Sequence, residues 1–165
     1  MTASAPKPPG SSPPPPGGDR GYKVRPLKRS DRDAVFKLLA VDGWVVPLGE
    51  QETTISWIVQ HPEMDAFVAH DAASFSRLFG FIIFSHRPQL RLAGRVGCIE
   101  AFAIAEEHRG KGIGKDLFDS VIRRAEALGC KRLEVHLPGT RDGRHRFFEE
   151  RGFARAGDEL FVMKR

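Results

Sequence analysis

The chain has 165 residues, a mixed polar and apolar composition, a net charge of +5 and a pI near 9.6. That length sets one globular domain with a sizeable core, and no apolar run approaches the roughly 20 residues that span a bilayer. No apolar stretch marks a secretory signal at the N-terminus, and neither of the two cysteines, Cys98 and Cys130, has the His/Cys neighbours of a metal site. They read as small core residues of a reducing compartment, so the expected location is cytoplasmic.

Residues 1–21 are mostly Pro, Gly, Ser and Ala, including Pro13 to Pro16. Such a segment cannot bury enough apolar area to fold and reads as a flexible tail. The expected domain covers 22–165. Tyr22 to Leu27 reads as a short strand. Ser30 and Asp33 then have the spacing of a capping box, ahead of a helix whose Ala34, Val35, Leu38 and Leu39 fall at helical spacing. Gly43 and Pro47 break it. A second helix over Gln51 to Gln60 points Ile55, Ile58 and Val59 inward and stops at His61-Pro62.

Strands follow at Asp65 to His70, Leu78 to Ser85 and Val96 to Ala105, with His86 to Gly97 as a basic hairpin connection. After a Gly-rich turn comes an amphipathic helix carrying Ile113, Leu117, Val121, Ile122, Ala125 and Leu128 on one face, with Gly129 as its C-cap. Leu133, Val135 and Leu137 alternate as one face of a strand. Asp142 to Arg151 reads as a short helix, and Phe153 to Ala156 and Leu160 to Lys164 as closing strands. The order β-α-α-β-β-β-α-β-α-β-β describes an α/β (α+β) fold, a mixed sheet with helices on both faces.

The turn before the amphipathic helix holds most of the chemistry: Arg109-Gly-Lys-Gly-Ile-Gly-Lys115. Its glycines let the backbone turn tightly and approach a ligand. Its amides, with the helix N-terminus behind them, make a concave nest for anions, and Arg109, Lys111 and Lys115 add charge. A nucleoside-triphosphate loop would need G-x-x-x-x-G-K-[ST]. Here the spacing is one residue short, and Asp116 stands where the magnesium-binding hydroxyl would be. The dinucleotide pattern G-x-G-x-x-G is also missed, because Gly110, Gly112 and Gly114 run G-x-G-x-G.

What the segment does match is R/Q-x-x-G-x-G/A, through Arg109, Gly112 and Gly114. In this the chain resembles the GNAT superfamily of acyl-CoA-dependent N-acyltransferases, over roughly 22–165. The resemblance implies a splayed sheet and acetyl-CoA as co-substrate. It implies that the amides of Gly110, Lys111, Gly112, Ile113, Gly114 and Lys115 hold the pyrophosphate, with Arg109 alongside. It also implies that the backbone of Phe102, Ala103, Ile104 and Ala105 pairs with the pantetheine arm. Near the C-terminus, Phe147-Phe148-x-x-x-Gly152-Phe153 fits the family's second landmark. Arg141 stands in its Asn place and Arg144 in its Ala place. Phe148 stands where many members have a tyrosine that protonates the departing thiolate, a role worth about 10²- to 10⁴-fold in rate.

Amine acylation needs a base, because an alkylammonium near pKa 10 is no nucleophile at neutral pH. Glu100 is the first candidate: it interrupts the apolar run from Val96 to Ile104, and strand alternation puts it on the face of residues 98, 102 and 104. The alternative is a salt bridge to Arg95 or Arg132, since a carboxylate inside a strand must be solvated or paired. His136 is the second candidate base, with a surface or structural histidine as its alternative. His86 is a third and weaker one. Glu106 and Glu107 are expected to cap or orient the loop, and His108 to point to solvent.

The leading expectation is an N-acetyltransferase that passes acetyl from acetyl-CoA to a primary amine by direct attack. The alternative is a catalytically weak acyl-CoA-binding module that serves as a sensor or interaction partner. Nucleic-acid binding through the basic surface ranks below both, for want of a recognisable binding motif. The acceptor, a small molecule or a peptide amine, would lie beside Asp42, Trp44, Glu50 and Trp57. Dimers are common among similar proteins.

Overall fold

The computed structural model describes residues 20–137, 143–157 and 163. Residues 20–135 form one compact unit, and the described part of 136–165 forms a second. The first contains a five-stranded sheet in the order β1 (Tyr22–Pro26), β2 (Met64–Asp71), β3 (Ser74–Gln89), β4 (Gly94–Ile104) and β5 (Cys130–Val135). Neighbours pair antiparallel from β1 to β4, and β5 runs parallel to β4. The mixed sheet follows from the connections. Short turns join β2, β3 and β4, whereas a parallel neighbour needs a crossover, which α3 (Ile113–Ala127) supplies.

Helices α1 (Arg32–Val41) and α2 (Leu48–Gln60) cover one face. There Val35, Phe36 and Ile55 pack with Leu27, Val68, Phe81, Ile83 and Ala103. Ile82 and Phe84 point to the opposite face by strand alternation, and both are fully buried. Helix α3 packs on β2 and β3, burying Ile113, Leu117, Phe118, Val121 and Ala125. No helix among the described residues is long and apolar enough to cross a membrane.

Several boundaries differ from those the sequence suggests. β3 runs on through His86, Arg87 and Pro88 to Gln89, so the basic segment expected as a connection is mostly strand. The turn is only Leu90–Leu92 plus Ala93, whose φ of 46° reverses the chain. The expected capping box also lies earlier, on the single 3₁₀ turn Arg29–Asp31 that leads into α1, and no side chain caps α1 itself. Asp31, not Asp33, accepts a main-chain hydrogen bond, from the Lys28 amide at 2.8 Å, while Asp33 pairs with the neighbouring Arg32. Asp31 is the better placed of the two because Arg25 on β1 grips it with both terminal nitrogens at 2.8 Å.

In the second unit, α4 spans Gly143–Glu149. Residues 153–156, expected as a strand, are irregular. Their expected partner, 160–164, lies outside the described residues apart from Met163.

Candidate active site

The parallel pairing of β4 with β5 ends at Ile99 and Val135. β4 continues for five residues beyond that point with no strand on this side among the described residues, while β3 pairs with its other edge as far as Ile104. Residues 100–104 therefore present a main-chain edge that no strand of the first unit covers. Such an edge is suited to an extended, amide-bearing ligand.

The same stretch begins with a bulge. Ile83 faces Ala101 and Phe84 faces Ile99, so Glu100 is an extra residue in β4. A bulge re-aims the side chain it carries. This corrects the simple alternation that groups residue 100 with 98, 102 and 104, because the extra residue shifts the phase. It also explains how a glutamate is tolerated there: Glu100 is exposed, and its carboxylate accepts a hydrogen bond from the Ser85 hydroxyl on β3. Neither expected arginine holds it. Arg132 pairs with Glu134, and Arg95 lies against His86 and Glu63.

At the far end of β4 a single turn of 3₁₀ helix, Glu106–His108, leads into the Gly-rich segment. Gly110 and Gly112 have φ of 74° and 84°, values that an L side chain rarely adopts. Gly112 is the N-cap of α3 and has no side-chain capping bond. The first amides of the helix thus have no intrahelical partner. A Cβ at Gly110 would meet nothing within 4 Å, so the space beside that residue is open.

The basic residues around this turn have different surroundings. Lys111 is exposed. Lys115 turns along the helix to Asp119 at 2.6 Å, instead of toward the nest. Arg109 donates from Nε to the carbonyl of Ile104 at 3.3 Å and lies 3.8 Å from Asp42. It thereby ties the end of β4 to the C-terminus of α1. Ile113 is 1 % exposed, so its side chain belongs to the core and only its amide faces the turn. His108 does not project to solvent; it stacks on Phe79 with ring centroids 3.7 Å apart.

Two polar groups missed from sequence also reach the turn. Tyr22 Oη donates to the Asp116 carboxylate at 2.7 Å, and an Arg20 terminal nitrogen lies 3.2 Å from it. A Cβ on Gly112 would lie 3.7 Å from the tyrosine oxygen and 3.9 Å from that nitrogen. The only sequence signal was an aspartate in the first turn of α3 and the single tyrosine of the chain.

His136 is exposed immediately after β5. Phe148 is 2 % exposed and packs edge-on against Phe147 and Phe153, at 5.2 and 5.3 Å between centroids. Phe147 carries the Arg151 guanidinium over its ring at 3.5 Å. Arg141 lies outside the described residues. His86 is buried, with Arg95 at 2.8 Å from Nδ1 and Asp65 at 3.6 Å from Nε2. Burial, more than any neighbour, lowers its pKa. Among the acceptor-side residues, Trp44 and Trp57 are exposed and Asp42 is engaged by Arg109. No group of three or more His, Cys, Asp or Glu side chains among the described residues could hold a metal ion.

A strand edge that outruns its neighbour and leads into a glycine-rich turn at the start of a helix is the arrangement on which the sequence comparison bears. Residues 33–153 match the sequence model of the acetyltransferase (GNAT) family. The chain belongs to that family. No curated protein matches the sequence.

Similar solved structures have the same GNAT fold. A ribosomal-protein-alanine N-acetyltransferase from Brucella melitensis biovar Abortus 2308 is 24 % identical with a TM-score of 0.67, over 87 % of this chain and 99 % of that one. A glucosamine-6-phosphate N-acetyltransferase from Arabidopsis thaliana is 19 % identical with a TM-score of 0.71, over 86 % and 97 %. An aminoglycoside acetyltransferase from an uncultured soil metagenomic sample, in complex with sisomicin, is 17 % identical with a TM-score of 0.70, over 88 % and 99 %. At these identities the likeness concerns the fold. The acceptors named differ from one GNAT protein to the next.

Proposed function

We propose that this chain is an acetyl-CoA-dependent N-acetyltransferase that acylates a primary amine by direct attack. One observation carries the reading: β4 runs on past the end of β5 over residues 100–104, and this edge leads into the glycine-rich turn of residues 110–115, with open space beside Gly110. The amides of that turn suit the pyrophosphate, and the backbone of residues 102–105 suits the pantetheine amides. The thioester then supplies an activated acetyl carbon near the bulge. There Glu100, exposed and oriented by Ser85, takes a proton from the incoming ammonium. The neutral amine attacks the thioester carbonyl and the C–N bond forms; the nitrogen then gives its second proton to water, and the C–S bond breaks to release a thiolate.

Phe148 has no hydroxyl to give that thiolate, so its proton comes from water or another donor. The same substitution favours a second reading, an acyl-CoA-binding module with little turnover. His136 serves as the alternative base. The two free cysteines support work in a reducing cytosol.

Isothermal titration of the chain with acetyl-CoA, with ATP and NAD as controls, tests the cofactor. A panel of primary amines under release of free CoA thiol then tests the chemistry. Selective micromolar binding with amine-dependent thiol release supports the enzyme. Binding without release on any amine supports the module, and no binding by folded protein overturns both.

A further inference from the structure

The pyrophosphate nest has an unfavourable neighbour. Asp116 lies in the first turn of α3, and its amide donates to the carbonyl of Gly112 at 3.1 Å. An aspartate there suits the helix dipole, yet a free carboxylate beside a diphosphate repels it. The structure does not leave that carboxylate free. Its Oδ2 accepts from Tyr22 Oη at 2.7 Å, and Arg20 Nη1 lies 3.2 and 3.4 Å from its two oxygens. Both partners come from the segment that enters β1, more than ninety residues away in sequence. Both also line Gly112 itself, at the distances given above.

We infer that Tyr22 and Arg20 are positioning residues for the coenzyme: they clamp Asp116 and offset its charge, so that the nest of residues 110–115 accepts a diphosphate. The inference rests on the acetyl-CoA reading of that nest. It assigns to the entry of β1 a role in cofactor binding, and it gives the chain's single tyrosine a place at the site. The phenol suits the task because it remains protonated and donating. Burial first, then the hydrogen bond to Asp116, raise its pKa above the ordinary value. Arg20 is half exposed and adds positive charge that salt can screen.

The clamp predicts that the effect of removing Tyr22 depends on the charge at 116. Titration of the full chain with acetyl-CoA is the measurement, on wild type, Tyr22→Phe, Arg20→Ala, Asp116→Asn and the two double variants carrying Asp116→Asn. Tyr22→Phe is expected to raise the Kd about tenfold, the typical consequence of losing a hydrogen bond to a charged group. Arg20→Ala is expected to raise it about threefold, as a partly exposed ion pair. Asp116→Asn is expected to tighten binding. In the Asp116→Asn background, neither Tyr22→Phe nor Arg20→Ala is expected to weaken binding further.

A turnover assay adds a second readout: Tyr22→Phe is expected to raise KM for acetyl-CoA and leave kcat near wild type. Thermal melts check that each variant is folded. If Tyr22→Phe binds as wild type does, or weakens binding equally with and without the Asp116→Asn change, the clamp is overturned. If wild type itself does not bind acetyl-CoA, the cofactor reading falls and the clamp falls with it. That outcome is distinct from intact wild-type binding with indifferent variants, which overturns the clamp alone.

Discussion

The Ser85 hydroxyl on β3 donates to the Glu100 carboxylate on β4, at the one place where the β3–β4 register slips. The slip is what makes the contact useful. Without the extra residue, Glu100 would have a partner in the ladder; with it, the carboxylate emerges beside the point where β4 loses its β5 neighbour. Glu100→Gln is expected to lower kcat about 10²-fold, the lower end for loss of a general base, while the Kd for acetyl-CoA stays near wild type. Ser85→Ala is expected to lower kcat about tenfold, and Ser85→Thr to restore most of it, because the hydroxyl orients and does not react. Steady-state kinetics with a saturating amine decide the matter, and unchanged turnover in Glu100→Gln removes it as the base.

Gly112 tests the nest from the other side. Its φ of 84° makes any side chain strained, by about 1–2 kcal/mol. Gly112→Glu adds a carboxylate at the mouth of the turn as well. We expect that variant to melt a few degrees lower, to remain folded by circular dichroism and to lose acetyl-CoA binding. Normal binding by the folded variant would place the pyrophosphate elsewhere.

How far the sequence foretold this depends on the kind of signal. The long elements were legible because their periods are strong. The positions of α3 that recur every three or four residues are its buried face, and Gly129 ends the helix with a φ of 68°. The Gly-rich turn was legible because only glycine tolerates its conformation. The bulge at Glu100 was not, since alternation carries no mark of one surplus residue. Nor was the Ser85 contact, which needs the register of β3 on β4. Arg87-Pro88 looked like a loop, although β3 absorbs it toward its end, where proline costs a ladder little. The capping box read from Ser30 and Asp33 missed Asp31, because the pairing that holds Asp31 comes from Arg25 on β1 and leaves no mark in the local spacing. The Tyr22–Asp116 contact joins residues 94 apart, and no local pattern announces it.

Two buried groups set the response of stability to acid, in separate windows. Burial lowers the pKa of His86 from its ordinary 6.5, with Arg95 and Arg124 adding to the effect and Asp65 and Glu63 opposing it. The unfolded chain therefore binds a proton that the folded one resists. That contribution is whole above pH 6.5 and is lost as pH falls through the folded value. For Asp31 burial acts upward, but the Arg25 hydrogen bonds and the Lys28 amide prevail and hold its pKa below 3.8. Its contribution is present above about pH 4 and is lost as pH falls further. Denaturant unfolding from pH 8 to 3 is expected to show a first decline below 6.5 and a second below 4. Asp31→Ala is expected to remove the Asp31 share of the second and to cost about 3 kcal/mol at neutral pH, since it strands the Arg25 guanidinium.

Cys98 bears on whether acetyl passes directly to the amine or rests first on the protein. It lies opposite Ser85 in the register and two residues from Glu100, where a carrier thiol would be well placed. Its chemistry opposes that role. Burial, reinforced by the Glu100 charge, pushes its pKa up to about 12, so almost none is thiolate at neutral pH. Cys130 is raised too, mainly by burial. The two cannot join, because Cys130 faces Arg95 and Cys98 faces Glu134, which separates them by about 10 Å along the strands. Cys98→Ala is therefore expected to keep kcat within about threefold of wild type. Native protein should withhold Cys98 from Ellman's reagent at pH 8, while denatured, unreduced protein should yield two thiols per chain. Loss of activity in Cys98→Ala, with an acetylated peptide containing residue 98 trapped from wild type, would replace direct attack by a two-step transfer.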